Sequence, residues 1–161
     1  MRLKHRCAPA AAAAPSVARL IESDHAITRQ LATLAIGQIA HKDPSLCVGP
    51  VMSALMHDEC RHPALRILAF LGDAAKCALL AVAPFYESPD AKTRKLAAIA
   101  ALSIDVESEV SQQIIAKART DRSRAVRSAV DRAEQKAQQA GSRQRRVRAS
   151  VDNRKPLARR A

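Results

Sequence analysis

Ser88-Pro89-Asp90-Ala91-Lys92-Thr93-Arg94-Lys95-Leu96-Ala97-Ala98-Ile99-Ala100-Ala101-Leu102-Ser103-Ile104 reads as one complete helix. Ser88 suits an N-cap, Pro89 suits the first helical position because its missing N–H is not needed there, and Asp90 sits where the helix dipole favours an anion. Thr93, Leu96, Ala97, Ala100, Ala101 and Ile104 then follow the three-and-four spacing of a single apolar stripe. Most of that stripe is alanine, so the helix requires a close neighbour rather than a deep pocket.

The pattern recurs along the chain. With Arg94 as anchor, Arg29 takes the matching place in 25–39 and Arg127 in 121–130. A fourth copy over 58–72 puts Ala64 at the anchor and aligns Leu71-Gly72 with Ile36-Gly37. The anchors then lie 35, 30 and 33 residues apart. A beat near thirty-three residues predicts an all-α fold, a stacked array of helical hairpins.

Composition sets the kind of interior such an array has. The 161 residues include no Trp, one Tyr and two Phe, so alanine and leucine must build the core. The net charge of +12 belongs to the ends. Residues 1–14 hold three basic residues and no acid, and 136–161 hold nine against Asp152 alone, whereas 15–135 hold 15 basic and 14 acidic residues. Cys7, Cys47, Cys60 and Cys77 form no C-x-x-C pair and are read as reduced residues of a cytoplasmic protein. No apolar run approaches the length of a membrane span.

In order, residues 1–15 form a basic, alanine-rich leader read as disordered, and 16–140 the helical domain. The Arg-rich tail, 141–161, has too little apolar content to fold alone. Within the domain, Ser16–Glu22 supplies a short helix and Ser23 caps one over 24–40. Asp43-Pro44 opens another over 45–56, shortened by Gly49-Pro50. The next begins at Arg61 or Pro63 and ends with Gly72 as a left-handed C-cap. Asp73–Tyr86, the helix from Ser88, Val106–Thr120 behind an Asp105 cap, and a last helix from Asp121 complete the set.

Paired helices, a period in the low thirties, an Asp shortly before the second helix and an Arg inside it resemble HEAT-repeat proteins of the short, bacterial-style kind. The resemblance covers residues 16–140 as about four repeats and implies an α-solenoid with disordered basic ends. It also implies a polar Asp–Arg ladder between neighbouring repeats, for which the matching residues are Asp90 with Arg94, Asp121 with Arg127, and Asp24 with Arg29. The aromatic signature of tetratricopeptide repeats and the Thr-Pro-Leu-His of ankyrin repeats are absent.

Catalytic chemistry finds little to work with. His57-Asp58-Glu59-Cys60-Arg61-His62, with His41 or Cys47 nearby in sequence, is the one cluster with metal-ligand chemistry, and it is read as an inter-helix turn without metal. No nucleophile is spaced with a base and an orienting group, so the expectation is a non-enzymatic chain with no cofactor. A HEAT-like lyase or hydroxylase subunit is the remote alternative. The favoured reading is a scaffold or adaptor that binds a protein partner on the concave face of its second helices, with Arg29, Arg66, Arg94 and Lys95 as candidate contacts. The rival is a nucleic-acid-associated protein. Its tail residues Arg143, Arg145, Arg146, Arg148, Arg154, Lys155, Arg159 and Arg160 would neutralise phosphates without sequence preference.

Overall fold

The alanine stripe meets a helix that packs close. In the computed structural model, which describes residues 13–41, 43–136 and 139, Ala97, Ala98, Ala100 and Ala101 are fully buried. The described residues are helical and contain no strand. Helix α1 is Ala14–Arg19, prolonged by a 3-10 turn at Leu20–Glu22, and α2 is Ala26–Ala40. Then come α3, Val48–Ala54, and α4, Asp58–Leu71. A 3-10 segment, Gly72–Ala78, leads to the single turn α5, Leu79–Val82, and a second 3-10 segment, Ala83–Glu87. Helices α6, Ala91–Ile104, α7, Glu109–Arg119, and α8, 124–136, complete the order.

Helices α2, α4 and α6 pack side by side in chain order, with an extensive contact between α4 and α6. The intervening elements touch one another in the same order: 20–22 meets α3, α3 meets 72–78, and 83–87 meets α7. Between these two rows lies a core of small and branched side chains, with Ile36, Leu65, Leu68, Ile104 and Val126 at or below 1% exposure. Each such Leu or Ile stabilises the fold by about 1.5–3 kcal/mol, and the alanines between them let the helices approach closely enough to bury it.

The residues that precede α2, α4, α6 and α8 are His25, His57, Asp90 and Ser123, spaced by 32, 33 and 33 positions. This corrects the register of the second copy. Arg61, not Ala64, stands at the fourth helical position with Arg29, Arg94 and Arg127, and α4 begins at Asp58 rather than at Arg61 or Pro63. Pro63 therefore lies inside the helix. It cannot donate to the Glu59 carbonyl four residues back. Gln30 Nε2, reaching across from α2, donates to that oxygen at 3.4 Å.

A local bonding pattern recurs at three of the four helix starts. Two residues before the cap, Ser23, Ser88 or Asp121 accepts the cap residue's N–H on its side-chain oxygen, at 3.3, 3.2 and 2.8 Å. The backbone carbonyl of the same residue accepts from Nη1 of Arg29, Arg94 or Arg127. The second copy has Leu55 in that place, with no side-chain oxygen. Arg61 turns instead to Asp58 and to the face of Phe85, 5.0 Å from the ring centre.

Several boundaries depart from the sequence reading. Asp90, not Ser88, caps α6, accepting from the amides of Lys92 and Thr93 at 3.1 and 2.8 Å. Asp105 ends α6 and pairs with Lys76, while Ser108 caps α7 through the Ser111 amide. Gly72 has φ +54 and ψ −130, so it has the positive φ expected of it but not the left-handed helical ψ. Ala14 is helical and buried rather than part of the leader, and residues 1–12 and 140–161 lie outside the described residues. By length and composition the helical stretch Asp58–Glu87 does reach that of a membrane crossing. Gly72 divides it, and the two parts pack on α6.

Candidate functional site

The Arg–acid pairs connect neighbouring helices, but not in the pairing taken from the family pattern. Arg94 Nε and Nη2 donate to the two oxygens of Asp121, at 2.9 and 3.0 Å, across to the start of the next unit. Asp90 does not pair with Arg94. Its carboxylate is turned onto its own helix start, where the Thr93 hydroxyl and the Thr93 and Lys92 amides hold it well below the usual carboxylate range. Arg127 bonds the carbonyl of Asp121, not its carboxylate, and Asp24 is exposed with no ion pair among the described residues. Arg29 pairs with Glu59 on α4. Helix α6 offers no acid to Arg61, and His62 Nε2 instead bridges to Asp90 Oδ2 at 3.2 Å and Thr93 Oγ1 at 3.0 Å.

These bonds bear directly on the candidate contact residues. The Arg94 side chain is 7% exposed and its donors are engaged by Asp121, Ser88 and Pro89, so it belongs to the scaffold and not to a recognition surface. Arg29 is likewise held between Glu59 and the Ser23 carbonyl. Arg66 is exposed and Lys95 half-buried, and neither makes an ion pair among the described residues. The tail arginines and lysine named above lie outside the described residues.

The metal-ligand cluster is pulled apart by its neighbours. It forms the first turn and a half of α4 rather than a loop, with Asp58 on Arg61, Glu59 on Arg29, His62 on Asp90 and Cys60 fully buried. Among the described residues no three His, Cys, Asp or Glu side chains converge as a metal would require. Buried Cys47 has its thiol pushed up, first by burial and then by the nearby Asp43 charge, which opposes use as a nucleophile.

Three of the exposed large apolar side chains lie together on α2. Ile27, Leu31 and Leu34, 72, 62 and 54% exposed, form a ridge at i, i+4 and i+7. Beside it runs a groove of about 310 Å³, walled by Leu34, Gly37, Gln38 and His41 of α2 and by Pro63, Arg66, Ile67 and Phe70 of α4. Gly37 opens the groove, since a β-carbon there would stand 2.9 Å from Ile67 Cδ1. At its far end the His41 and Phe70 rings meet with centroids 4.1 Å apart, and Phe70 remains 56% exposed. Among these residues sequence reasoning offered only Arg66 as a partner contact, and His41 only as a neighbour of the metal-ligand cluster. Ile27, Leu31 and Leu34 have the right spacing for a buried stripe, so only the coordinates show that they face outward.

No model of a protein family, no curated protein and no solved structure matches this chain.

Proposed function

We propose that the chain is a HEAT-like helical solenoid without enzymatic activity, and that it docks a protein partner along the face formed by α2 and α4. The observation that carries this reading is the ridge Ile27, Leu31 and Leu34 beside the Phe70 groove, a connected apolar surface left in water by a fold whose other large side chains are mostly inside. The two serially contacting rows of helices support the solenoid reading, because such an array offers a long, ordered face without an internal chamber.

Recovery of bound proteins by the full chain, compared with a Leu31→Glu/Leu34→Glu variant and with a chain truncated after Gly141, tests the proposal. A partner lost with the ridge variant and kept by the truncated chain supports it. A second reading, nucleic-acid association through the tail, is favoured by the nine basic residues of 136–161. It requires the reverse result, together with binding that falls steeply as salt rises.

A further inference from the structure

The geometry points to a small-molecule site in the groove between α2 and α4, one that takes an aromatic carboxylate with its ring against Phe70 and its anion on Arg66. The inference goes beyond the docking reading and does not rest on it, since Ile27 and Leu31 of the ridge do not line the groove.

The space itself is written into the helices. At the twelfth helical position stand Gly37 on α2, Ala69 on α4 and Leu102 on α6, the last only 7% exposed. The side chain is thus missing where α2 faces Ile67, and about 310 Å³ stays open there. Small-molecule sites run from about 300 to 1,000 Å³ and are mostly apolar, with a few polar groups that fix orientation. Leu34, Pro63, Ile67 and Phe70 supply the apolar walls. Phe70 keeps 56% of its surface exposed even with the His41 ring beside it, so a further ring can pack on it.

The charge of the ligand follows from the walls alone. Among the described residues no Asp or Glu lines the groove, and the fixed charge in it is the Arg66 guanidinium. Arg66 is exposed and makes no ion pair among the described residues; His62, Pro63, Ala69 and Phe70, one turn away on α4, include no acid. The exposed acids Glu22 and Asp24 precede α2, whereas the groove takes its α2 residues, Leu34 to His41, from the other end of that helix. Asp58 and Glu59, in the first turn of α4, are held by Arg61 and Arg29. A lone guanidinium fork matches a carboxylate, which it binds through two parallel hydrogen bonds and neutralises one for one. Arg66 and Phe70 are neighbours at i and i+4, about 6 Å apart along the axis, so the carboxylate belongs a few bonds from the ring. Cinnamate has that form.

The test is a ligand-observed proton NMR titration of the full chain with cinnamate, cinnamyl alcohol and cinnamylamine at about 0.15 M salt. Cinnamate should bind saturably, about tenfold more tightly than the alcohol, with the amine weakest. Arg66→Gln should bring cinnamate down to the alcohol, and Arg66→Glu should make the amine the best of the three. Phe70→Ser, at an exposed position that the fold does not need, should weaken acid and alcohol alike. Ile27→Glu/Leu31→Glu should leave cinnamate binding unchanged, which separates this site from the docking ridge. No saturable binding of cinnamate, or equal binding of acid and amine, overturns the inference. So does a preference for the acid that survives Arg66→Gln, which assigns the attraction to the cationic chain ends. Loss of cinnamate binding in Ile27→Glu/Leu31→Glu, or its persistence in Phe70→Ser, removes the ligand from the groove.

Discussion

Asp121→Asn separates charge from shape at the buried Arg94–Asp121 ion pair. The two carboxylate oxygens of Asp121 accept four hydrogen bonds: from Arg94 Nε and Nη2, from the Tyr86 hydroxyl at 3.0 Å and from the Ser123 amide at 2.8 Å. An asparagine can keep one oxygen toward Arg94 Nη2 and the Ser123 amide. Its NH₂ then faces Arg94 Nε–H, donor against donor, and the tyrosine must turn to accept. Losing one charge-assisted bond in a site only 4% exposed, and leaving the guanidinium without its counter-charge, costs about 3 kcal/mol. At about 2–4 °C per kcal/mol for a chain of this size, the midpoint of thermal unfolding should fall by about 9 °C.

The pH dependence provides the sharper control. Arg94, then the Ser123 amide and the Tyr86 hydroxyl, hold the Asp121 carboxyl well below its unfolded value of about 3.9. A depressed folded pKa gives stability that is fully present above the unfolded value and is lost as pH falls through the folded one. The gap between parent and variant in urea unfolding should therefore be constant from pH 8 to 5 and close below pH 4. Asp90 is depressed in both proteins and cancels in the difference. A gap under about 1 kcal/mol at pH 7, or one that does not narrow between pH 5 and 3, would show that Asp121 does not act as a buried anion.

Tyr86 is the only tyrosine in a chain without tryptophan, so absorbance near 295 nm follows it alone. Burial, and then the Asp121 bond, push its hydroxyl up to about 12, so the native midpoint should lie well above the one near pH 10 seen in urea, and should move down in Asp121→Asn. Gly72→Ala should destabilise by about 2 kcal/mol, because a side chain at φ +54 is strained and its β-carbon would stand 3.3 Å from the Ser103 carbonyl; an unchanged urea midpoint would refute this. Ala97→Leu forces a branched side chain into a fully buried position of α6 and should cost about 3 kcal/mol in the same assay. Alkylation of the native protein followed by peptide mapping should label Cys77, which is exposed, and spare Cys47 and Cys60 until the chain is unfolded.

The sequence and the structure agree where one helix specifies itself. The apolar spacing of 91–104 and the short polar breaks around it are local signals, and they locate α6 to within a few residues. They fail at the second unit because Pro63 imitates a first-turn proline. Its place inside α4 depends on Gln30, thirty-three residues earlier, bonding the Glu59 carbonyl, and no local pattern announces that contact. A better signal was present in the six-residue step from Ser23 to Arg29, Ser88 to Arg94 and Asp121 to Arg127. The same step from Leu55 to Arg61 lacks only the oxygen, so it fixes the register that the apolar pattern misplaced by three residues. The ladder was misassigned for a related reason. Nearness in sequence suggests Asp90 for Arg94, but an acid at a helix cap is claimed first by the amides it caps, which leaves the arginine to reach the next unit.

The face proposed for docking was the least legible part, because periodicity identifies an apolar side of a helix and not what covers it. Comparing equivalent positions recovers some of that information. At the second helical position α4 and α6 carry Glu59 and Lys92, while α2 carries Ile27; at the ninth they carry Arg66 and Ile99, while α2 carries Leu34. Packing does not account for the difference, since Ile27 is 72% and Leu34 54% exposed. At the sixth position Leu31 is exposed, whereas Leu96 of α6 is half-buried. Helix α6 has α4 beside it, and α2 has no counterpart on that side among the described residues. Side chains that gain nothing from their own fold are what the proposed docking along α2 and α4 would account for. Ile27→Glu therefore distinguishes the two roles: it should leave the stability of the free protein in urea within about 0.5 kcal/mol, as surface substitutions do, while removing most of the recovery of a partner bound by the full chain. A large loss of stability would instead make the ridge part of the core.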